Sequence, residues 1–215
     1  EMYKKLSVLI PVYNEKHTIE KCINSVINAD IGDLELEVII SDNNSNDGTK
    51  EILSKINNEK VKILYRTDNK GKGANIKNAL KEAEGDLILF QDADLEYSPG
   101  DYLSLLEPFY KFNADVVFGS RLTRAKATAI VGFPNYIGNN VLTFIANFLF
   151  NKIFTDIATG YKVFKKEIIK NIEITSNGFE IEPEITAKIS KNKKIRIFEV
   201  PITINSRSYS EGKKV

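Results

Sequence analysis

The stretch LILFQDADLEYSPGD, residues 87 to 101, places Asp92, Asp94 and Glu96 at alternate positions directly after an apolar run. Three carboxylates this close together suit a solvated acidic loop, a calcium site, or a cation that also holds phosphates. An EF-hand loop needs Gly at its sixth position and Glu at its twelfth. Counted from Asp92 these are Tyr97 and Leu103, and counted from Asp42 in DNNSNDGT they are Asp47 and Leu53. Both calcium readings fail. Magnesium or manganese takes only a few carboxylates and completes its octahedron with water and diphosphate oxygens, a need that Asp92, Asp94 and Glu96 meet. NKGKGAN supplies Gly71 and Gly73 but no third glycine at the fingerprint spacing, so it is not a dinucleotide motif, and the chain has no P-loop. A glycine-rich helix start still offers backbone N–H groups to an anion, and turn chemistry accounts for Gly71 and Gly73 equally well.

The elements that must position these groups alternate along the chain. LSVLIPVY (6–13), LEVII (36–40), VKILY (61–65) and DLILFQ (86–91) read as strands. Ile19, Cys22, Ile23, Val26 and Ile27 recur at helical spacing, a short helix follows around Ile52, and Ile76, Ala79, Leu80 and Ala83 mark another opened by GKG. Such alternation predicts βαβ crossovers and an α/β fold with a mainly parallel sheet and helices on both faces. Ligands of such sheets bind outside the carboxyl ends of the strands, which is where Asp92, Asp94 and Glu96 fall. Ser98, Pro99 and Asp101 then form a capped helix start, and Tyr102, Leu105, Leu106 and Phe109 give that helix a buried face.

ADVVFGSR (114–121) is a further strand, and beyond it the pattern changes. Ala127 to Asn151 contains no charged residue but five asparagines and Pro134, which argues against a membrane-spanning helix. Asn140, Asn147 and Asn151 share a helical face, with Val141, Phe144, Ile145 and Phe148 elsewhere, so the pattern predicts an uncharged amphipathic helix and favours a core role over contact with lipid. ATGYKVFKK, a helix near Ile185 to Ile189, and KIRIFEVPITI complete the chain.

Composition sets the limits. The 215 residues suit one compact α/β unit. Thirty basic residues against 29 acidic ones exclude a broad basic face for nucleic acid, so an anionic ligand must be met by a local cluster. The single cysteine, Cys22, excludes an internal disulfide and reads as a small core residue; His17 reads as a surface residue. KKLSVLIPVYNEK has too short an apolar run for a signal peptide.

With LIPVYNE, DNNSNDGT, NKGKGAN and DAD following successive strands in order, the chain resembles glycosyltransferase family 2, the inverting GT-A transferases that use nucleotide-diphosphate sugars. The resemblance covers nearly the whole length. GSR (119–121), DIATGYKVF (156–164), GFEIEPEI (178–185) and RSYSEGKK (207–214) narrow it to the polyprenyl-phosphate sugar synthases, the group that contains dolichyl-phosphate mannose synthase. The resemblance implies a single GT-A catalytic domain over 1–215, with a donor-binding half at about 1–97 and an acceptor-binding half at about 98–215. On the donor side it implies that Pro11, Tyr13, Glu15 and Asp42 hold base and ribose, that Gly71, Lys72, Asp92 and Ala93 meet the nucleotide sugar, and that Asp94 leads Asp92 and Glu96 in binding Mg²⁺ or Mn²⁺. Glu96 stands where the mannose synthases often have glutamine, and Asn43 and Asn44 replace a common Asp-Gly.

On the acceptor side the resemblance implies that Ser120, Arg121, Arg207, Lys213 and Lys214 bind the phosphate of a polyprenyl lipid, dolichyl or undecaprenyl. Physics supports the two arginines: only five stand against 25 lysines, and a guanidinium binds phosphate bidentately where lysine cannot. Arg66, Arg124 and Arg196 are read as ordinary surface or salt-bridge residues. A lipid monophosphate, with a second pKa of about 6, is already anionic at pH 7, whereas a sugar hydroxyl needs a general base. Glu182 and Glu184 are the other base candidates, with helix-terminus electrostatics as the plainer role. The implied activity is hexosyl transfer from a GDP- or UDP-sugar to polyprenyl phosphate at the cytoplasmic face of a membrane, by a peripheral protein or the catalytic domain of a membrane protein. The alternative is transfer to a saccharide hydroxyl. On the polyprenyl-phosphate reading, the uncharged helix near residues 134 to 153 and the loop before it would face lipid or lipid-bound acceptor.

Overall fold

The almost unbroken apolar run of strand β1 (Lys5–Val12) demands cover on both faces, and the computed structural model, which describes residues 3–123, 126 and 133–205, gives it that cover. Strand β2 (Glu35–Asp42) pairs with it in parallel on one side and β4 (Leu87–Phe90) on the other, and β3 (Val61–Tyr65) extends the sheet beyond β2. Successive side chains of β1 point to opposite faces. Leu6, Val8 and Ile10 therefore join one core with helices α1 (Ile19–Ile27) and α2 (Thr49–Leu53), whereas Leu9 joins the other with α3 (Lys72–Glu82).

Beyond β4 the parallel pattern is interrupted. A 3-10 turn, Pro99–Asp101, is capped by the Ser98 hydroxyl, which accepts from Gly100 N at 3.2 Å, and leads into α4 (Tyr102–Lys111) and β5 (Val116–Ser120). After α5 (Phe133–Phe150), strand β6 (Lys162–Lys165) inserts antiparallel between β4 and β5. Helices α6 (Lys166–Lys170) and α7 (Ile181–Lys191) follow, and β7 (Ile197–Pro201) runs parallel to β5 at the edge. The seven strands lie in the order β3-β2-β1-β4-β6-β5-β7. This is the mainly parallel α/β sheet that the alternation predicts.

Helix α5 departs from the core role that its sequence pattern favours. Its inward positions are small or polar: Thr143 and Ala146 are buried, and Asn139 and Asn147 are partly so. Its outward positions are large and apolar, with Val141, Phe144, Ile145, Phe148 and Leu149 all exposed, Phe148 by 79%. The amides turn inward because they have partners there. Asn147 holds both backbone groups of Phe154, accepting from its N at 2.7 Å and donating to its O at 2.9 Å, and Asn139 donates to Asp156 at 2.9 Å. These bonds offset the desolvation of the amides, while Asn139 Oδ1 and Thr143 Oγ1 are buried without a hydrogen-bond partner. Among the described residues no helix is long and apolar enough to cross a membrane.

Candidate active site

Strands β1, β2 and β4 all end at the same edge of the sheet, and the segments leaving them close around a cleft of about 640 Å³. Pro11, Tyr13 and Glu15 enter it from β1, Gly71 and Lys72 from the start of α3, and Asp92, Ala93, Asp94 and Glu96 from the turn after β4. Asn43, Asn69, Asn75 and Phe179 line it too. Asn69 and Asn75 are the first and last residues of NKGKGAN and Phe179 lies in GFEIEPEI, so the motifs contain them, but sequence spacing gives no reason to single them out. Asn43 and Asn69 form one amide pair, Nδ2 to Oδ1 at 2.5 Å.

Asp42 is not in this lining. It is wholly buried at the end of β2, where Oδ2 accepts from Ser45 N at 3.1 Å and Oδ1 has no hydrogen-bond partner. A buried carboxylate oxygen without a donor is costly, and Asp42 immediately precedes Asn43, which does line the cleft. Its place in the site is thus below the surface, not on it.

The acidic turn is held by the core behind it. Gln91 Oε1 accepts from the hydroxyls of Tyr102 (2.7 Å) and Tyr161 (2.6 Å), while its Nε2 donates to Asp92 O at 2.9 Å. Tyr97 stacks on Tyr161 at 4.6 Å, accepts from Gly160 N at 2.9 Å, and has its phenol pushed up to about 12 by burial. Cys22 is buried against Asp92 O, as a small core residue, and burial raises its thiol pKa; His17 is exposed.

The three acids nevertheless do not form a cage. The segment is a turn, with Leu95 at φ +64°, so alternate positions do not share one side as they would on a strand. Asp94 Oδ1 accepts from Glu96 N at 3.0 Å, and Asp92 Oδ1 is taken by the Lys72 ammonium at 2.7 Å. Among the described residues no three His, Cys, Asp or Glu side chains converge as a metal-binding group. An all-oxygen set in which one or two carboxylates face a cleft still fits a hard divalent cation whose remaining ligands are water and diphosphate oxygens.

Gly71 and Gly73 have a structural explanation. Gly71 has φ +98°, and a Cβ at either position would lie 2.7 Å from a backbone oxygen, of Asn177 and Ser176 respectively. The 175–178 segment packs onto the first turn of α3, and Ala74 N donates to Asn177 O at 3.0 Å. That donor is therefore not available to an anion.

Lys72 lies between two carboxylates, Asp92 at 2.7 Å and Glu182 at 3.0 Å. Burial alone would lower its pKa, but Asp92 and Glu182 outweigh burial and raise it. Glu182 also receives Lys162 at 2.5 Å. Burial would raise the Glu182 pKa, yet Lys162 and Lys72 bring it below the usual carboxylate value. Glu184 accepts from Thr175 N and Oγ1, Ser176 N and Lys188, and these donors overcome desolvation to hold it well below its ordinary value. It serves the start of α7.

On the other side, Ser120 is buried, with its hydroxyl 2.6 Å from Thr155 Oγ1 and accepting from Leu122 N. Arg121 places Nε and Nη2 on Asp156 at 2.6 and 2.8 Å. The bidentate face expected to meet an acceptor phosphate is therefore directed at a buried carboxylate. Burial would raise Asp156, but the guanidinium lowers it below the ordinary value; against its own desolvation, Arg121 is raised by Tyr97 and Asp156. Arg207, Lys213 and Lys214, like Arg124, lie outside the described residues.

The arrangement is a polar, largely acidic cleft whose turn after β4 suits a hard cation, with an arginine held by Asp156 at the base of an outwardly apolar helix. Dolichol-phosphate mannosyltransferase of Pyrococcus furiosus is 30% identical over 212 residues, covering 97% of this chain and 59% of that protein. UDP-N-acetylglucosamine–dolichyl-phosphate N-acetylglucosaminyltransferase of Methanococcus voltae is 28% identical over 226 residues, covering 96% and 88%. The chain thus spans little more than half the length of the first of these relatives. Glucosyl-3-phosphoglycerate synthase of Mycobacterium tuberculosis, solved with Mn²⁺, UDP and glucosyl-3-phosphoglycerate, shares the fold at a TM-score of 0.71 and 19% identity, over 97% of this chain and 74% of that one. The family profile described as glycosyl transferase family 2 matches residues 7–173, which hold most of β1, all of β2 to β6 and every residue lining the cleft except Phe179; the chain belongs to that family.

Proposed function

We propose that this chain is an inverting hexosyltransferase that moves mannose or glucose from a GDP- or UDP-sugar to the phosphate of a polyprenyl lipid, dolichyl or undecaprenyl. It works at the cytoplasmic face of a membrane, either as a peripheral protein or as the catalytic domain of a membrane protein. The observation that carries the acceptor class is helix α5. An uncharged helix with amides inward and large apolar side chains outward suits the boundary of a bilayer. Asn139 on that helix and Arg121 after β5 meet on the same carboxylate, Asp156, so the apolar surface and the arginine are linked. The dolichyl-phosphate relatives support the same reading.

Chemistry follows from the acceptor. A monoester phosphate is an anionic nucleophile at neutral pH and needs no protein base. Glu182, held ionised by two lysines, and Glu184, held by backbone donors, are poorly suited to take a proton from a hydroxyl. This argues against a saccharide acceptor. Pro11, Tyr13 and Glu15, with Asp42 buried at the end of β2, would face base and ribose; Gly71, Lys72 and Ala93 would face the sugar diphosphate. Asp94, helped by Asp92 and Glu96, would hold Mg²⁺ or Mn²⁺, which when bound neutralises charge on the departing nucleoside diphosphate. Arg121 would offer the guanidinium edge that Asp156 does not use, with Ser120, Arg207, Lys213 and Lys214 completing the phosphate site. Donor contacts then fall mainly in residues 1–97 and acceptor contacts in 98–215, within one catalytic domain.

Labelled GDP- and UDP-hexoses offered with polyprenyl phosphate in vesicles, and separately with short saccharides, test this. Labelled lipid is the expected product, and its sugar and nucleotide identify the donor. Transfer to saccharide with none to the lipid phosphate overturns the reading.

A further inference from the structure

Four charged side chains from four separate segments form one buried chain that ends at the cleft. Lys162 of β6 meets Glu182 of α7 at 2.5 Å, Glu182 meets Lys72 of α3 at 3.0 Å, and Lys72 meets Asp92 after β4 at 2.7 Å. The signs alternate and cancel. Lys162 is wholly buried and also donates to Thr159 O, with its ammonium 5.1 Å from the centre of the Phe118 ring. At the far end Asp92 lies against Gly160, where a Cβ would come within 2.5 Å of its Oδ2.

The geometry points to Lys162 as a positioning residue for the donor site, acting through Glu182 and Lys72 without touching the ligand. The inference rests on reading the cleft as a nucleotide-sugar site. Glu182 is shared between two ammonium groups. Where Lys162 neutralises one oxygen, Lys72 is left to serve Asp92. Without the Lys162 charge, the buried Glu182 has Lys72 as its sole strong partner, because an uncompensated buried carboxylate is strongly disfavoured. The Lys72 ammonium is then drawn off Asp92, and the cleft gains negative charge where a diphosphate must enter. Electrostatic terms of this kind are large in a site shielded from water.

The experiment is a double-mutant cycle on K162M and K72M, read by isothermal titration as affinity for GDP and UDP with Mn²⁺ and confirmed as folded by circular dichroism. Nucleoside diphosphate without acceptor separates this question from the lipid. Neighbours in one network couple by amounts corresponding to roughly tenfold changes in affinity. K162M is expected to weaken nucleotide binding about tenfold in the native background and less than about threefold when Lys72 is already methionine. Lys162→Arg, which keeps the charge, is expected to stay within about threefold of the native protein. If K162M does not fold, Lys162→Gln replaces it in the same cycle. Additive losses in the cycle, or unchanged affinity in K162M, overturn the inference while leaving the donor reading intact. Native protein that binds neither nucleotide overturns both.

Discussion

The strand-end cleft and helix α5 place polar groups in opposite ways. In the cleft, Asp92, Lys72, Glu182 and Lys162 neutralise one another within the protein, and the wall presents carboxylates, amides and backbone to a small polar ligand. On α5 the amides of Asn139 and Asn147 face the protein, and Phe144, Phe148 and Leu149 face outward. One surface encloses its charges in ion pairs, and the other leaves large apolar side chains exposed. On the function proposed above, a polar donor would meet the first surface and a lipid acceptor the second; Asp156, which ties Arg121 to Asn139, lies at the seam between the arginine and α5.

The largest expected effect is at that seam. Removing one partner of a buried ion pair costs about 3–5 kcal/mol, so D156A should lower stability by that order in denaturant unfolding, and a loss below about 1 kcal/mol would show that the seam is not structural. The same contact makes stability depend on pH. The folded Asp156 pKa lies below the unfolded value of about 3.9. Its contribution is thus fully present above about pH 4 and lost as pH falls through the lower folded value. Melting curves of native protein and D156N should converge in acid.

Next in size is Asp94. Losing a group that stabilises the leaving charge costs about 100-fold or more in rate, so D94N should abolish measurable transfer while its melting temperature stays near that of the native protein. Equal loss of rate and of fold would show the acidic turn to be a structural cap. G73A is smaller. A Cβ 2.7 Å from Ser176 O forces the 175–178 segment off α3, for about 1–3 kcal/mol, and an unchanged melting temperature would falsify that close approach. The smallest thermodynamic effect belongs to α5. Exposed substitutions usually change stability within about 0.5 kcal/mol, so F144D/F148D should unfold like native protein yet lose flotation with anionic vesicles. Retained flotation would leave α5 without a role at the membrane.

Much of the cleft is legible in the sequence because its positions are set locally. A buried strand followed by a capped helix fixes where DAD must lie, and a parallel α/β sheet fixes that strand ends carry ligands. The chain could not say which carboxylates remain for a cation. That depends on Lys72 reaching Asp92 from 20 residues away and on a left-handed Leu95 breaking the alternation. Lys162 and Asp156 lay unmarked inside motifs otherwise recognised, since their partners, Glu182 and Arg121, are 20 and 35 residues distant.

Helix α5 marks the boundary most clearly. Its sequence fixed an uncharged helix with asparagines on one side and apolar residues on the other. Periodicity is a property of one helix and cannot state which side meets the protein. Only the tertiary structure decided that, because the backbone of Phe154 and the carboxylate of Asp156 wait beneath it as hydrogen-bond partners, and a buried amide without partners would cost more than an exposed phenylalanine.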